Sequence, residues 1–189
     1  MRSRILFTFL LAALLFGAYG YRENSSAQST STGKQAKSGT PVSADEFWTT
    51  DWDKALAAAK SQKKPVIIDF YTDWCVWCKR LDKETYAAPE IRKRLKEGWV
   101  GVKVNPEDGS KKGTFNGKVL SYAEIAYLLK VRGYPTIIFL DKEGNLVNLN
   151  AAINFVPREP FGPLLDYVKY ELYKKNILLE KYVQDSMRK

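Results

Sequence analysis

The sequence predicts an α/β domain: a central mixed β-sheet flanked by helices, with an added C-terminal helical extension. Three observations carry this. Short apolar, β-branched runs alternate with segments of helical period along most of the chain. The first run, Pro65 to Tyr71, leads directly into Trp74-Cys75-Val76-Trp77-Cys78-Lys79, a Cys-x-x-Cys opening a helical segment. The last run, Thr136 to Leu140, is followed by Asp141-Lys142-Glu143-Gly144 and a further short run, which reads as a hairpin.

The N-terminus comes first in the element order. Met1-Arg2-Ser3-Arg4 is basic and Ile5 to Ala18 is apolar, a signal-peptide core in length and short for a membrane-spanning helix. Ala18 and Gly20 are small residues at the two positions a signal peptidase reads. Residues 1–20 are therefore expected to be an export signal cleaved after Gly20, with an uncleaved N-terminal anchor as the alternative. No lipobox cysteine is present. Either reading puts the cysteines in an oxidising compartment, periplasmic or otherwise exported, where a lone pair stays oxidised unless something reduces it. Residues 21–43 are expected to be a flexible linker, since Glu23 to Thr40 is Ser, Thr, Gly, Gln and Lys with almost no apolar content. A single domain is expected over 44–175 and the helical extension over 176–189.

Within the domain, Asp51 to Ser61 is Ala-rich with helical spacing, and Thr49 or Thr50 is available to cap it. Pro65 to Tyr71 reads as a buried strand. Cys75 to about Tyr86 reads as a helix, and Pro89 suits the first turn of a shorter one running to Lys96. Trp99 to Val104 is the next strand, and the polar, Gly-rich Asn105 to Lys118 reads as a loop. Ser121 and Glu124 form a capping box for a helix to about Lys130. Thr136 to Leu140 and Asn145 to Leu149 are the hairpin strands. Arg158 to about Tyr173 and Ile177 to Met187 are amphipathic helices rich in Tyr and Leu. The first two strands, joined through the Cys-x-x-Cys helix, should pair parallel with a right-handed crossover.

The chain has 189 residues, is 45% hydrophobic and carries a formal net charge of +9. Loss of residues 1–20 would remove Arg2 and Arg4 and no acid, leaving +7. The basic residues are interspersed with acids, as in Lys79-Arg80 followed by Asp82 and Glu84. No aromatic-interleaved nucleic-acid module is present, so a solvated mixed-charge surface is expected and nucleic acid is not an expected partner.

The two cysteines lie in one motif, and there is no His. At a helix N-terminus the first sulfur faces unpaired backbone N–H groups that stabilise a thiolate, and the second lies one turn on, within disulfide reach. The thiolate is the nucleophile in disulfide exchange. A structural zinc site normally needs four Cys or His ligands, and c-type haem attachment needs a His where Lys79 stands. An inert staple remains open, but a link across so short a loop constrains the unfolded chain little.

Ile68-Asp69-Phe70-Tyr71-Thr72-Asp73-Trp74-Cys75-Val76-Trp77-Cys78-Lys79 resembles the thioredoxin superfamily, as does Gly133-Tyr134-Pro135-Thr136 before an apolar strand. The resemblance covers about Phe47 to Tyr170. Within it, the stretch from Asp73 to Lys79 is most similar to exported thioredoxin-like proteins and the periplasmic C-terminal domain of the thiol:disulfide interchange protein DsbD. The resemblance implies Cys75 as the exposed nucleophile, Cys78 as the buried resolving thiol and Pro135 as a cis-proline facing the sulfurs. It implies that Tyr134 offers backbone hydrogen bonds to an extended client.

An acid inside an apolar strand is costly to bury charged, so Asp69 is expected to have a raised pKa and to take the proton of Cys78. Trp74 is expected as a wall over the disulfide. Trp77 stands where the family more usually has a small residue or Pro, and is expected to shield the sulfurs or contact a partner. Lys79 reads as a favourable charge near the sulfurs or as an ordinary helix-surface Lys.

The expectation is an exported thiol–disulfide oxidoreductase reducing client disulfides, with a membrane electron-relay donor. No metal and no cofactor beyond the redox-active Cys75–Cys78 pair are expected. An oxidase or isomerase, and a binding module that holds substrates or a metal ion through its thiolates, are the alternatives.

Overall fold

The computed structural model describes residues 47–149 and 153–188. The expected signal or anchor segment and linker lie outside the described residues. The chain enters the sheet at a two-residue strand, β1 (Trp48–Thr49), and turns into helix α1 (Trp52–Gln62). Asp51, rather than Thr49 or Thr50, caps α1: its carboxylate accepts the Lys54 N–H at 2.9 Å, and Thr49 Oγ1 accepts the Asp51 N–H at 3.1 Å. Strand β2 (Val66–Phe70) follows, then α2 (Val76–Leu81).

The sequence-expected helix from Cys75 to Tyr86 is not uniform. After Leu81 it widens into a π turn, Asp82–Tyr86, closed by the Ala87 N–H donating to the Asp82 carbonyl at 3.0 Å. Helix α3 (Pro89–Gly98) starts on its proline, and β3 (Val100–Val104) returns to the sheet.

The segment expected to be a loop contains an antiparallel hairpin, β4 (Lys112–Phe115) and β5 (Lys118–Ser121). Its two-residue turn is Asn116-Gly117, both at positive φ, the conformation Asn-Gly adopts in tight hairpins. Gly113 lets the hairpin lie on α1: a Cβ there would meet the Trp52 side chain at 2.5 Å. Trp52 Nε1 also donates to the Thr114 carbonyl at 2.9 Å.

Helix α4 (Tyr122–Leu128) carries the expected capping box between Ser121 and Glu124. It ends earlier than expected, and Lys130 takes a left-handed conformation. Strand β6 (Thr136–Leu140) follows. The expected partner strand Asn145 to Leu149 is reduced to a bridge between Leu140 and Leu146, and a second bridge joins Ile137 to Ile153. Helix α5 (Arg158–Lys169), a 3₁₀ turn (Leu172–Lys175) and α6 (Leu179–Met187) complete the chain. The expected continuous helix to Tyr173 is broken at Glu171, which is left-handed. In the extension, Tyr182 packs against Tyr167 with ring centroids 5.8 Å apart, and the Tyr167 hydroxyl donates to the Ile177 carbonyl at 2.6 Å. No helix among the described residues is long and apolar enough to cross a membrane.

The main sheet has the order β1-β3-β2-β6. β2 pairs parallel with β3, as expected, and antiparallel with β6. Side chains alternate along β2. Val66, Ile68 and Phe70 join the core formed with α1 and α4, including Trp52, Tyr122 and Ile125. Ile67 points to the other core, with Leu81, Ile91, Leu95 and Phe161. Asp69 shares the Ile67 face by the same alternation, which puts its carboxyl on the side of α2 and the π turn. The antiparallel pairing sets Phe70 opposite Thr136, so the end of β2 that feeds the cysteines lies beside the start of β6 and its Tyr134-Pro135.

Candidate active site

Cys75 and Cys78 are joined by a disulfide with an S–S distance of 2.04 Å. Cys75 is the N-cap of α2, in extended conformation, and its Sγ accepts the Cys78 N–H at 3.0 Å. A sulfur occupies the place a Ser or Asp oxygen takes at an ordinary helix start. The backbone before it is fixed by the Cys75 N–H donating to the Thr72 carbonyl at 3.1 Å. The expected exposed-versus-buried contrast between the two cysteines is corrected: each residue is 3% exposed. The side chains around them form an apolar rim, with Trp74 64%, Val76 74% and Trp77 52% exposed. The difference between the sulfurs lies in hydrogen bonding, since Cys75 Sγ holds the helix-start N–H.

The Tyr134–Pro135 peptide, just before β6, is cis. The turn before β6 is held by Thr136 Oγ1 donating to the Gly133 carbonyl at 2.8 Å. Trp74 meets Tyr134 edge-on at 6.0 Å, and its Nε1 donates to both Glu107 carboxylate oxygens at 3.1 Å. Trp74 is thus held on two sides, by Tyr134 and by Glu107. Trp77 leans the other way, onto Phe155 at 5.3 Å, and the Arg80 guanidinium lies 5.1 Å from the Trp77 ring centroid and 5.2 Å from that of Phe155. Trp77, Phe155, Tyr134 and Pro135 line an open groove of about 570 Å³. Lys79 is an exposed residue of α2.

Asp69 is fully buried within β2. In the parallel register it stands opposite Lys103 of β3, whose Nζ lies 3.1 Å from Asp69 Oδ2. Beyond that ion pair neither Asp69 oxygen has a hydrogen-bond partner. Lys103 instead donates to Asp82, at the start of the π turn. The ammonium is enclosed by the rings of Trp48, Tyr71 and Tyr86, with centroids 5.3, 5.4 and 5.6 Å away.

Burial raises the Asp69 carboxyl from 3.8 to about 6, with Lys103 restraining the rise and Asp82 adding to it. Burial pulls the Lys103 ammonium down, but Asp69 and Asp82 outweigh it and hold the group above the usual lysine range. The arrangement is an acid poised near neutrality, with one cation shared between two carboxylates.

Lys103, Asp82, Arg80 and Phe155 were not singled out by sequence. Lys103 and Asp82 carry a usable signal, a charge within a buried strand and a charge one turn beyond the motif. Phe155 sits in an irregular stretch and carries none. Away from the cysteines, Asp141, Glu143 and Glu171 bring carboxylate oxygens within 4.8 Å of one another. Their counter-charges are already present: Lys174 Nζ lies 3.7 Å from Asp141, and Lys142 Nζ 3.6 Å from Glu171.

Comparison with known proteins agrees with this geometry. Residues 52–169 match the family model described as a thioredoxin-like domain. The thiol:disulfide interchange protein DsbD of Cronobacter sakazakii is 40% identical over 114 residues, covering 59% of this chain and 17% of that protein. Its counterpart in Vibrio vulnificus is 35% identical over 106 residues, 56% of this chain and 16% of that protein. The chain thus spans under a fifth of the length of these two relatives.

A thioredoxin-fold protein of Helicobacter pylori superimposes with a TM-score of 0.58 at 22% identity, covering 71% of this chain and 95% of the other. A thioredoxin of Thermus thermophilus gives 0.50 at 23% identity, covering 66% and 87%. These two structures speak to the fold alone. The family match covers well over half the chain and includes both cysteines, Asp69 and the cis Tyr134–Pro135. The chain belongs to the thioredoxin-like family of thiol–disulfide oxidoreductases, with Cys75–Cys78 as its Cys-x-x-Cys pair.

Proposed function

We propose that this protein is an exported oxidoreductase that reduces disulfides of client proteins. The observation that carries the reading is the Cys75–Cys78 pair at the N-terminus of α2, with a buried acid of pKa about 6 in the strand that leads into it. In the reduced state the Cys75 thiolate attacks one sulfur of the client disulfide and displaces the other as a thiolate. Cys78 then loses its proton to Asp69 and attacks Cys75 Sγ. The client's remaining sulfur leaves as a thiolate. Two electrons have passed to the client, both its sulfurs take up protons, and the Cys75–Cys78 disulfide is left.

The site's electrostatics support the reducing direction. A strong oxidant needs a strongly stabilised thiolate. Val76 and Trp77 supply no charge, the chain has no His, and α2 has no acidic or basic residue before Lys79. Burial of both sulfurs opposes the thiolate, while the Cys78 N–H favours it, so the two effects work against each other. A reductant in an oxidising compartment needs continual reduction. The likeness to one part of a DsbD thiol:disulfide interchange protein fits a membrane electron-relay donor, and residues 1–20 fit delivery across the membrane. Trp74, Trp77 and the Tyr134 backbone flank the path of an extended client.

The test is insulin reduction by the purified protein with a dithiol donor, together with equilibration against glutathione buffers. A reduction potential nearer that of thioredoxin, about −270 mV, than that of DsbA, about −120 mV, is expected. A value above about −180 mV, that of protein disulfide isomerase, would replace the reductase reading with oxidation or isomerisation.

A further inference from the structure

The groove beside the disulfide has a charge of one sign. Lys130 and Arg132 line it with Trp77, Tyr134, Pro135 and Phe155, and no carboxylate lines it among the described residues. Both cations are exposed, and neither has an ion-pair partner among the described residues. Arg80 adds a third positive charge behind the two rings, although Glu84 pairs with its Nε at 2.8 Å. The opposite flank differs. There the wall is Trp74, tied to Glu107 and packed edge-on against Tyr134. A client crossing Tyr134-Pro135 therefore has aromatic rings and unpaired cations on one side and a carboxylate on the other. Both side chains stand in solvent, so neither makes a buried contact that its replacement would open.

We propose that this groove selects client segments in which the attacked cysteine is followed or preceded, within a few residues, by an acidic side chain next to an apolar or aromatic one. The apolar side chain covers Trp77 and Phe155, and the acid pairs with Lys130 and Arg132. Free cations beside an apolar strip complement that pattern and repel a basic one. The inference rests on the oxidoreductase reading and names the substrate class of the same groove.

The test compares two disulfide-linked peptides that differ only in acidic or basic residues flanking the cysteine, with hydroxyethyl disulfide as a small neutral substrate. The wild-type protein should reduce the acidic peptide about tenfold more efficiently in kcat/KM than the basic one, a size set by two partly screened surface charges. The preference should shrink at about 0.5 M salt. In the double variant Lys130→Glu/Arg132→Glu it should invert. Equal rates for the two wild-type peptides, a basic preference, or a preference unmoved by the double variant would overturn the selection. So would self-association that closes the groove to both peptides. Failure to reduce hydroxyethyl disulfide at all would instead overturn the oxidoreductase reading.

Discussion

Replacing Asp69 with Asn keeps the shape of the side chain and fixes it in a neutral form. In the folded wild type the carboxyl titrates at about 6, against 3.8 when exposed. A shift of about two units corresponds to roughly 3 kcal/mol between the ionised and neutral forms in the fold. The sign follows from proton counting. Between pH 3.8 and about 6 the folded state holds a proton that the unfolded chain has released, so stability falls as pH rises through that window. Above about 6 the loss is complete. Asp69→Asn removes it.

The variant should therefore match the wild type near pH 3.5 and exceed it by roughly 3 kcal/mol at pH 7.5. The attraction of Lys103 is already contained in that figure, because it moderates the Asp69 shift. Urea unfolding of the two oxidised proteins at fixed ionic strength, from about pH 3.5 to about pH 8, gives the difference directly, with the m-value as a check that the unfolded states are alike. A stability difference independent of pH, or a variant no more stable at pH 7.5, would refute the account of Asp69 as a buried acid ionised at a cost. The same variant should slow release of the mixed disulfide at neutral pH, since the acceptor for the Cys78 proton is gone.

Three further outcomes follow from the site. In the reduced protein Cys75 should alkylate faster than Cys78 at neutral pH, and Cys78→Ser should trap mixed disulfides through Cys75; trapping by Cys75→Ser alone would reverse the roles. Lys103→Met should move the Asp69 titration above about 6, because the cation that restrains it is lost; an unmoved midpoint in carboxyl NMR titration would remove Lys103 from the pair. Exchange kinetics in the wild type should rise through about pH 6 as Asp69 becomes able to accept a proton, and a profile without that inflection would exclude it as the base.

What could be read from the sequence was what depends on neighbouring residues. The capping box at Ser121 and Glu124, the proline opening α3 and the apolar run of β2 are each decided within a few positions. The motif and Asp69 were legible because a buried strand cannot hold an acid without a reason. The hairpin of β4 and β5 was missed because Lys112, Thr114, Lys118 and Val119 are exposed, leaving little alternation, although Asn116-Gly117 marks its turn. Lys103 and Asp82 were missed for a different reason. Their meeting with Asp69 depends on strand register and on the phase of a π turn, and both are set by the assembled sheet. Phe155 reaches Trp77 from far along the chain, with no local pattern to announce it.

The hydrogen bond from the Cys78 N–H to Cys75 Sγ has a consequence for the redox cycle. The donor is part of the first turn of α2 and is in position while the sulfur is still oxidised. When the disulfide opens and Cys75 becomes anionic, the same N–H is already placed to give it a stronger, charge-assisted bond. The helix start thus holds a donor for the Cys75 sulfur before the reduction that charges it. A partner that tells the charged carrier from the spent one meets the same donor in both, and the charge on the sulfur is what differs at this helix start.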